Sequence, residues 1–191
     1  QMCIRDRYNV QHMDMNGNSE LAVPQNTLGA ELRQLENKQW EQITLPHTPF
    51  VEPLTVLHQW QGICYYKKKI TITPEEAKKH IWIEFEGAMH LADVWINGKH
   101  VMQHAGGYTP FVVDATGLLK TDKENELLVR LDNRNNSLIP PGKPLETLDF
   151  CYYGGIYRNV HLIAKADVHI THPILDGHPA GAGIFITYPK V

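Results

Sequence analysis

Hydrophobic and polar residues alternate with a period of two along most of the chain. Ile81, Ile83 and Phe85 fall on one side of an extended segment, and Trp82, Glu84 and Glu86 on the other. Ala92, Val94 and Ile96 alternate with Asp93, Trp95 and Asn97; Leu127, Val129 and Leu131 alternate with Leu128, Arg130 and Asp132. Val160 and Leu162 alternate with Asn159 and His161. Successive strand side chains point to opposite faces, so each segment predicts a half-buried strand. Residues 65–72 predict a further strand, with Lys67 and Lys69 turned away from Ile70 and Ile72. Asn97 and Gly98 predict a tight hairpin, because both central residues of a type I′ turn need positive φ.

Helix is scarce. Thr73, Pro74, Glu75 and Glu76 spell a capping box with proline at the first helical position, which predicts a turn or two before residue 80. Residues 114–119 predict another short turn. Residues 25–37 predict a modest helix whose stripe is Leu28, Leu32 and Leu35. Many short strands separated by Gly/Pro turns predict an all-β fold, a jelly-roll β-sandwich. Its expected extent is residues 8–165. Residues 1–7 (QMCIRDR) match nothing that follows and are expected to be foreign to the fold. Residues 166–191 are expected to be the truncated start of a second β-sandwich, with a linking strand at 168–171, a glycine-rich turn at 177–183 and a strand at 184–188.

Composition narrows the classes. With 42% hydrophobic and 20% charged residues among 191, the chain is globular rather than disordered. Eighteen basic against 21 acidic residues give a net charge of -3, so no nucleic-acid partner is expected. No apolar run approaches the ~18 residues of a membrane-spanning helix, and no membrane partner is expected. Three cysteines without CxxC spacing predict neither a disulfide scaffold nor a zinc ribbon, and Cys64 and Cys151 are expected to be buried thiols. Of 11 scattered histidines only His100 and His104 stand four apart, and they do so on a strand, so no metal site is expected. Lys67, Lys68 and Lys69 are expected on a solvated face.

Four aromatics, Trp60, Trp82, Trp95 and Tyr108, are candidates for a sugar-stacking platform. Core or cross-strand packing is the expected role of Trp95 and Tyr108. Trp82, opposite Ile81 and Ile83, is the best candidate for an exposed aromatic or an interdomain contact. Arg158 is expected to hold its turn through a buried ion pair.

Several short motifs follow one another in a telling order. Trp40 precedes Thr44, Leu45, Pro46 and His47, and residues 62–69 read GICYYKKK. Phe85, Glu86, Gly87 and Ala88 precede Val94, Trp95, Ile96, Asn97 and Gly98, and residues 106–114 read GGYTPFVVD. Asp132 and Asn133, then Pro140, Pro141 and Gly142, then Gly154, Gly155, Ile156, Tyr157 and Arg158 complete the series. In that order, over about residues 40–164, they resemble the amino-terminal sugar-binding domain of glycoside hydrolase family 2, most of all that of its β-galactosidases.

The resemblance implies a galactose-binding-like jelly roll followed by an immunoglobulin-like sandwich. It also implies a retaining glycosidase, whose acid/base and nucleophile carboxylates stand ~5–5.5 Å apart. In the family both lie in a downstream (β/α)-barrel, so no catalytic residue is expected in this chain. The domain would brace that barrel and line one side of the sugar site. Asp149 matches an aspartate that enters the sugar in the galactosidase and glucuronidase branches. Gln59 stands where some β-galactosidases contribute an asparagine. On residue chemistry alone Asp149 also fits a turn position, because Asp bonds its own backbone there.

The implied partners are a β-linked sugar, first of all a galactoside, and the downstream β-sandwich and barrel of the same chain. No cofactor is implied, homo-oligomerisation stays open, and a periplasmic or secreted setting is favoured. A β-glucuronidase-type parent and a stand-alone carbohydrate-binding module are the alternatives; the latter predicts an exposed aromatic platform.

Overall fold

The computed structural model describes residues 2–3, 8–13, 40–50, 60–150, 152–177, 183–184 and 186–190. Among the described residues ten strands are formed: β1 (Met2–Cys3), β2 (Tyr8–Met13), β3 (Glu41–Ile43), β4 (Ile63–Ile70), β5 (His80–Phe85), β6 (Leu91–Ile96), β7 (Lys99–Ala105), β8 (Phe111–Asp114), β9 (Asn125–Asp132) and β10 (Val160–Lys165). They build two antiparallel sheets, ordered β1-β10-β5-β8 and β3-β2-β4-β9-β6-β7. The fold is an all-β sandwich, as the alternation predicts. Met2 and Cys3 run beside Leu162 and His161 as a two-residue edge strand.

The predicted inner faces meet in one core. Ile81, Ile83 and Phe85 of β5 pack with Val160 and Leu162 of β10 and with Phe111 and Val113 of β8. Across the sandwich lie Ala92, Val94 and Ile96 of β6, Leu127, Val129 and Leu131 of β9, and Cys64 and Tyr66 of β4. Cys64 is a buried free thiol, as expected; Cys151 lies outside the described residues.

Local signals set the turns. Asn97 and Gly98 take φ of 52° and 78°, and the Asn97 amide donates to Leu118 O (3.2 Å) and Asn125 Oδ1 (2.9 Å). The β6–β7 hairpin is thus tied to its neighbouring loop. Thr73 and Glu76 close the capping box reciprocally: Thr73 N–H donates to Glu76 Oε2 (2.8 Å) and Glu76 N–H to Thr73 Oγ1 (3.2 Å). The helix that follows is a single 3₁₀ turn, Glu76–Lys78. The helix predicted at 25–37 lies outside the described residues.

The outer faces hold three departures from expectation. Trp82 points away from the core as predicted, yet it is buried, packed on Val112 and Ile163. The chain after β10 covers it: the His169 and His172 rings meet the indole edge-on at 5.1 and 5.7 Å. Imidazole–carboxylate contacts His172–Glu84 (3.5 Å) and His80–Asp167 (3.6 Å) flank it. Residues 168–171 form no strand; His169 docks on Trp82 through its ring, while Val168 and Ile170 are exposed. Arg158 is exposed, with its guanidinium 5.4 Å from the Tyr157 ring, so the expected buried ion pair is absent there. The buried guanidinium is that of Arg130, facing Asp93 (3.7 Å) and Asp132 (3.5 Å) on the outer face of β9.

Residues 184 and 186–188 also form no strand, and Ile184, Ile186 and Tyr188 are exposed. Without ladder partners their amides are open to water. Hydrogen exchange should find Ile184, Ile186 and Tyr188 exchanging far faster than Ile81–Phe85. Equal protection in the two segments would contradict this packing.

Candidate functional site

The candidate site is built on residues 144–158, between the second 3₁₀ turn and β10. Thr147 closes that turn (Leu145–Thr147) by donating from N and Oγ1 to Pro144 O, at 3.0 and 2.8 Å. Leu148 then drops into a small cluster with Met89 and Tyr152, which Tyr157 partly covers. Asp149 and Phe150 are exposed. Tyr152 turns back inward, and its phenol hydrogen-bonds His90 Nδ1. Beyond it Met89 N–H donates to Gly155 O (2.9 Å), His47 N–H to Ile156 O (2.8 Å), and the Tyr157 hydroxyl to Gly107 O.

Asp149 and Phe150 therefore form a projecting tip held on both sides by buried residues. The Asp149 carboxylate has no hydrogen-bond or ion-pair partner among the described residues. An aspartate that holds its own turn bonds a nearby backbone N–H. This one leaves both oxygens available as acceptors, which suits sugar hydroxyls.

Beneath the tip lies a buried polar layer. His90 is 2% exposed, and burial pushes its pKa down to about 4 against the opposing pull of Asp132. Burial, then the nearby Tyr108 and Asp132, push the Tyr152 phenol well up. Tyr108, itself 43% exposed, is raised by burial and by Tyr157. Burial also works against ionisation of Asp132, but Arg134 outweighs it from Nε (3.0 Å), Nη2 (2.7 Å) and N (3.1 Å), with Arg130 adding. Asp132 is thus held below the usual carboxylate range. The buried part of the layer carries a neutral imidazole, a protonated phenol and one carboxylate neutralised by arginines, with the exposed Tyr108 phenol beside it.

The depressed His90 pKa makes the fold sensitive to acid. The folded state binds fewer protons at this imidazole than the unfolded chain, so its contribution is complete above pH 6.5 and falls steadily toward pH 4. The span corresponds to about 3 kcal/mol at 1.36 kcal/mol per unit. Asp132 adds a second loss below its unfolded pKa of 3.8. Denaturant melts should lose stability between pH 6.5 and 4, and His90→Gln should flatten that slope. An unchanged slope in the variant would assign the acid sensitivity elsewhere.

The other candidates separate. Gln59 lies outside the described residues. Trp60 is half-buried against the core and beside Gly154, where a Cβ would stand 3.3 Å from its ring. Trp95 is buried edge-on to His100 at 5.0 Å, the packing role expected of it. Tyr108 is not packed away, because it sits in the loop between β7 and β8 rather than in a ladder. His100 and His104 are not brought together: His100 meets Asp93 Oδ1 at 3.0 Å, and His104 stacks on Phe111 at 4.5 Å. Sequence reasoning missed the His90–Tyr152 pair; the partners are 62 residues apart and no local spacing marks them.

The profile of the family described as "Glycosyl hydrolases family 2, sugar binding domain" matches residues 8–166. A beta-galactosidase of Thermoanaerobacter pseudethanolicus is 33% identical over 153 residues, 78% of this chain and 20% of that protein. A beta-glucuronidase of Bacteroides fragilis is 37% identical over 135 residues, 68% of this chain and 18% of that protein. Among solved structures, the beta-glucuronidase of Bacteroides uniformis superimposes with a TM-score of 0.65 at 28% identity, covering 87% of this chain and 18% of that one. The chain thus spans about a fifth of the length of these relatives.

Proposed function

Because the chain belongs to glycosyl hydrolase family 2, as its sugar-binding domain, we propose that it serves a retaining glycosidase of β-galactosidase type acting on O-glycosyl bonds. In this reading residues 8–165 are the jelly roll, and residues 166–191 lead into a second, immunoglobulin-like sandwich. The carboxylate pair belongs to a barrel carried outside these residues. Asp149 reaches from the jelly roll to accept hydrogen bonds from the bound sugar. The observation that carries the reading is the exposed, unengaged Asp149 carboxylate on a tip pinned by Leu148 and Tyr152, within a chain of this family. Gln59 is retained as a second sugar contact from the segment before β4.

A glucuronidase-type parent is the second reading, favoured by the 37% identity to the Bacteroides fragilis beta-glucuronidase. A glucuronide needs cationic groups for its carboxylate, and these would come from the barrel. The full-length enzyme should turn over nitrophenyl β-galactoside at least tenfold faster than the glucuronide; the reverse order would select the second reading. The 191-residue chain alone should turn over neither substrate. Turnover that persists through purification would place the chemistry inside the sandwich and overturn both readings. Tight sugar binding by the isolated chain would favour a stand-alone binding module.

A further inference from the structure

We propose that the buried His90–Tyr152 pair is a positioning clamp that sets where the Asp149 tip meets the sugar. The inference rests on the reading of Asp149 as a sugar contact. Tyr152 is three residues beyond Asp149, and Leu148, directly before it, packs on the Tyr152 and Met89 side chains. The Tyr152 phenol reaches across to His90 Nδ1, on the segment leading into β6. His90 is fixed in turn at the backbone: its N–H donates to Asp132 O (3.4 Å), and its carbonyl accepts from Gly106 N (2.9 Å). The residue before it, Met89, bonds Gly155 O at 2.9 Å. Two buried side chains thus join the tip to a backbone node where β6, β9 and the Gly106 loop converge.

The pair has the chemistry of a rigid strut. Both members are buried, 2% and 4% exposed, so water does not compete for the bond. Burial keeps the imidazole neutral down to about pH 4, which preserves one lone pair and one N–H for hydrogen bonding through the working range. Neither group faces solvent as a ligand contact would. What the pair controls is the register of the tip, and a misplacement of about 1 Å in a contacting group can cost about 100-fold in rate.

The test is a double-mutant cycle in the full-length enzyme that carries this chain, with kcat, KM and the unfolding midpoint read for each variant. Tyr152→Phe keeps the ring against Leu148 and Met89 and removes only the hydroxyl. It should lower kcat by about tenfold with little change in KM, and it should cost nothing further in an Asp149→Asn background, because coupled residues are not additive. His90→Phe, which keeps an aromatic ring but removes the Nδ1 partner of the phenol, should lower kcat by about the same factor and likewise cost nothing further in the Asp149→Asn background; it decides the matter if Tyr152→Phe fails to fold, and normal kcat in it would overturn the clamp. Normal kcat in Tyr152→Phe beside an impaired Asp149→Asn would overturn the clamp and leave the sugar contact standing. An equal loss with and without Asp149 would also overturn it, since the pair would then act elsewhere. Normal activity in Asp149→Asn itself would overturn the underlying site reading and the clamp with it.

Discussion

Asp149→Asn in the full-length enzyme is expected to lower turnover by far more than it lowers stability. A carboxylate that accepts from a sugar hydroxyl makes a charge-assisted hydrogen bond, roughly twice as strong as a neutral one. If the bond tightens as charge develops at the anomeric centre, its loss costs ~2–4 kcal/mol, the range for comparable electrostatic contacts. At 1.36 kcal/mol per decade this is about a 30- to 1000-fold fall in kcat. The unfolding midpoint should stay near that of the parent, because Asp149 is exposed and bonds no described residue. Asparagine keeps the shape and one acceptor oxygen, so the experiment isolates the charge. A turn-holding role predicts another result: Asn is as good a turn residue, and activity would stay within about threefold of the parent. Near-normal kcat in a folded variant would therefore remove Asp149 from the sugar site.

What the sequence made legible divides along a physical line. Features set by neighbours within a few residues were readable. The alternation of Ile81, Ile83 and Phe85 placed them in the core, Asn97 and Gly98 made their hairpin, and Thr73 with Glu76 closed the capping box. Features set by long-range docking were not. Alternation correctly turned Trp82 outward, but nothing local announces that His169 and His172 return to cover it. The same holds for Arg130. Its parity puts it on the polar side of β9, and only cross-strand pairing with Asp93 shows that this side is buried too. In the candidate site, the motif order singled out Asp149 as a candidate, whereas His90 and Tyr152 meet across the fold and became visible only in three dimensions.

The second large effect concerns the backbone on which the site stands. Gly155→Ala should destabilise the domain by ~2–6 kcal/mol. Gly155 has φ of +96°, a conformation L side chains rarely adopt, and forcing alanine there costs ~1–3 kcal/mol. The new Cβ would also meet Tyr66 Oη at 2.5 Å, His47 O at 2.7 Å and Pro49 Cδ at 2.7 Å. Two of the three cannot move cheaply. Tyr66 is fully buried in the core and bonds His47 Nδ1 (3.0 Å), and the His47 backbone is held to Ile156 O at 2.8 Å. Overpacking of this kind adds ~1–3 kcal/mol. For a chain of this length, at about 2–4 °C per kcal/mol, the sum lowers the unfolding midpoint by roughly 4–24 °C. Gly107→Ala is the matched comparison. Its Cβ would crowd the buried Met89 thioether and stand 3.2 Å from His90 Cβ, but its φ lies outside the strained range, so it carries the overpacking without the backbone strain. Thermal melts of both variants should show Gly155→Ala losing at least twice as much as Gly107→Ala. A Gly155→Ala protein within about 1 kcal/mol of the parent would mean that the His47 segment yields. The close approach of Tyr66, His47 and Gly155 would then not be what fixes the segment that carries Asp149.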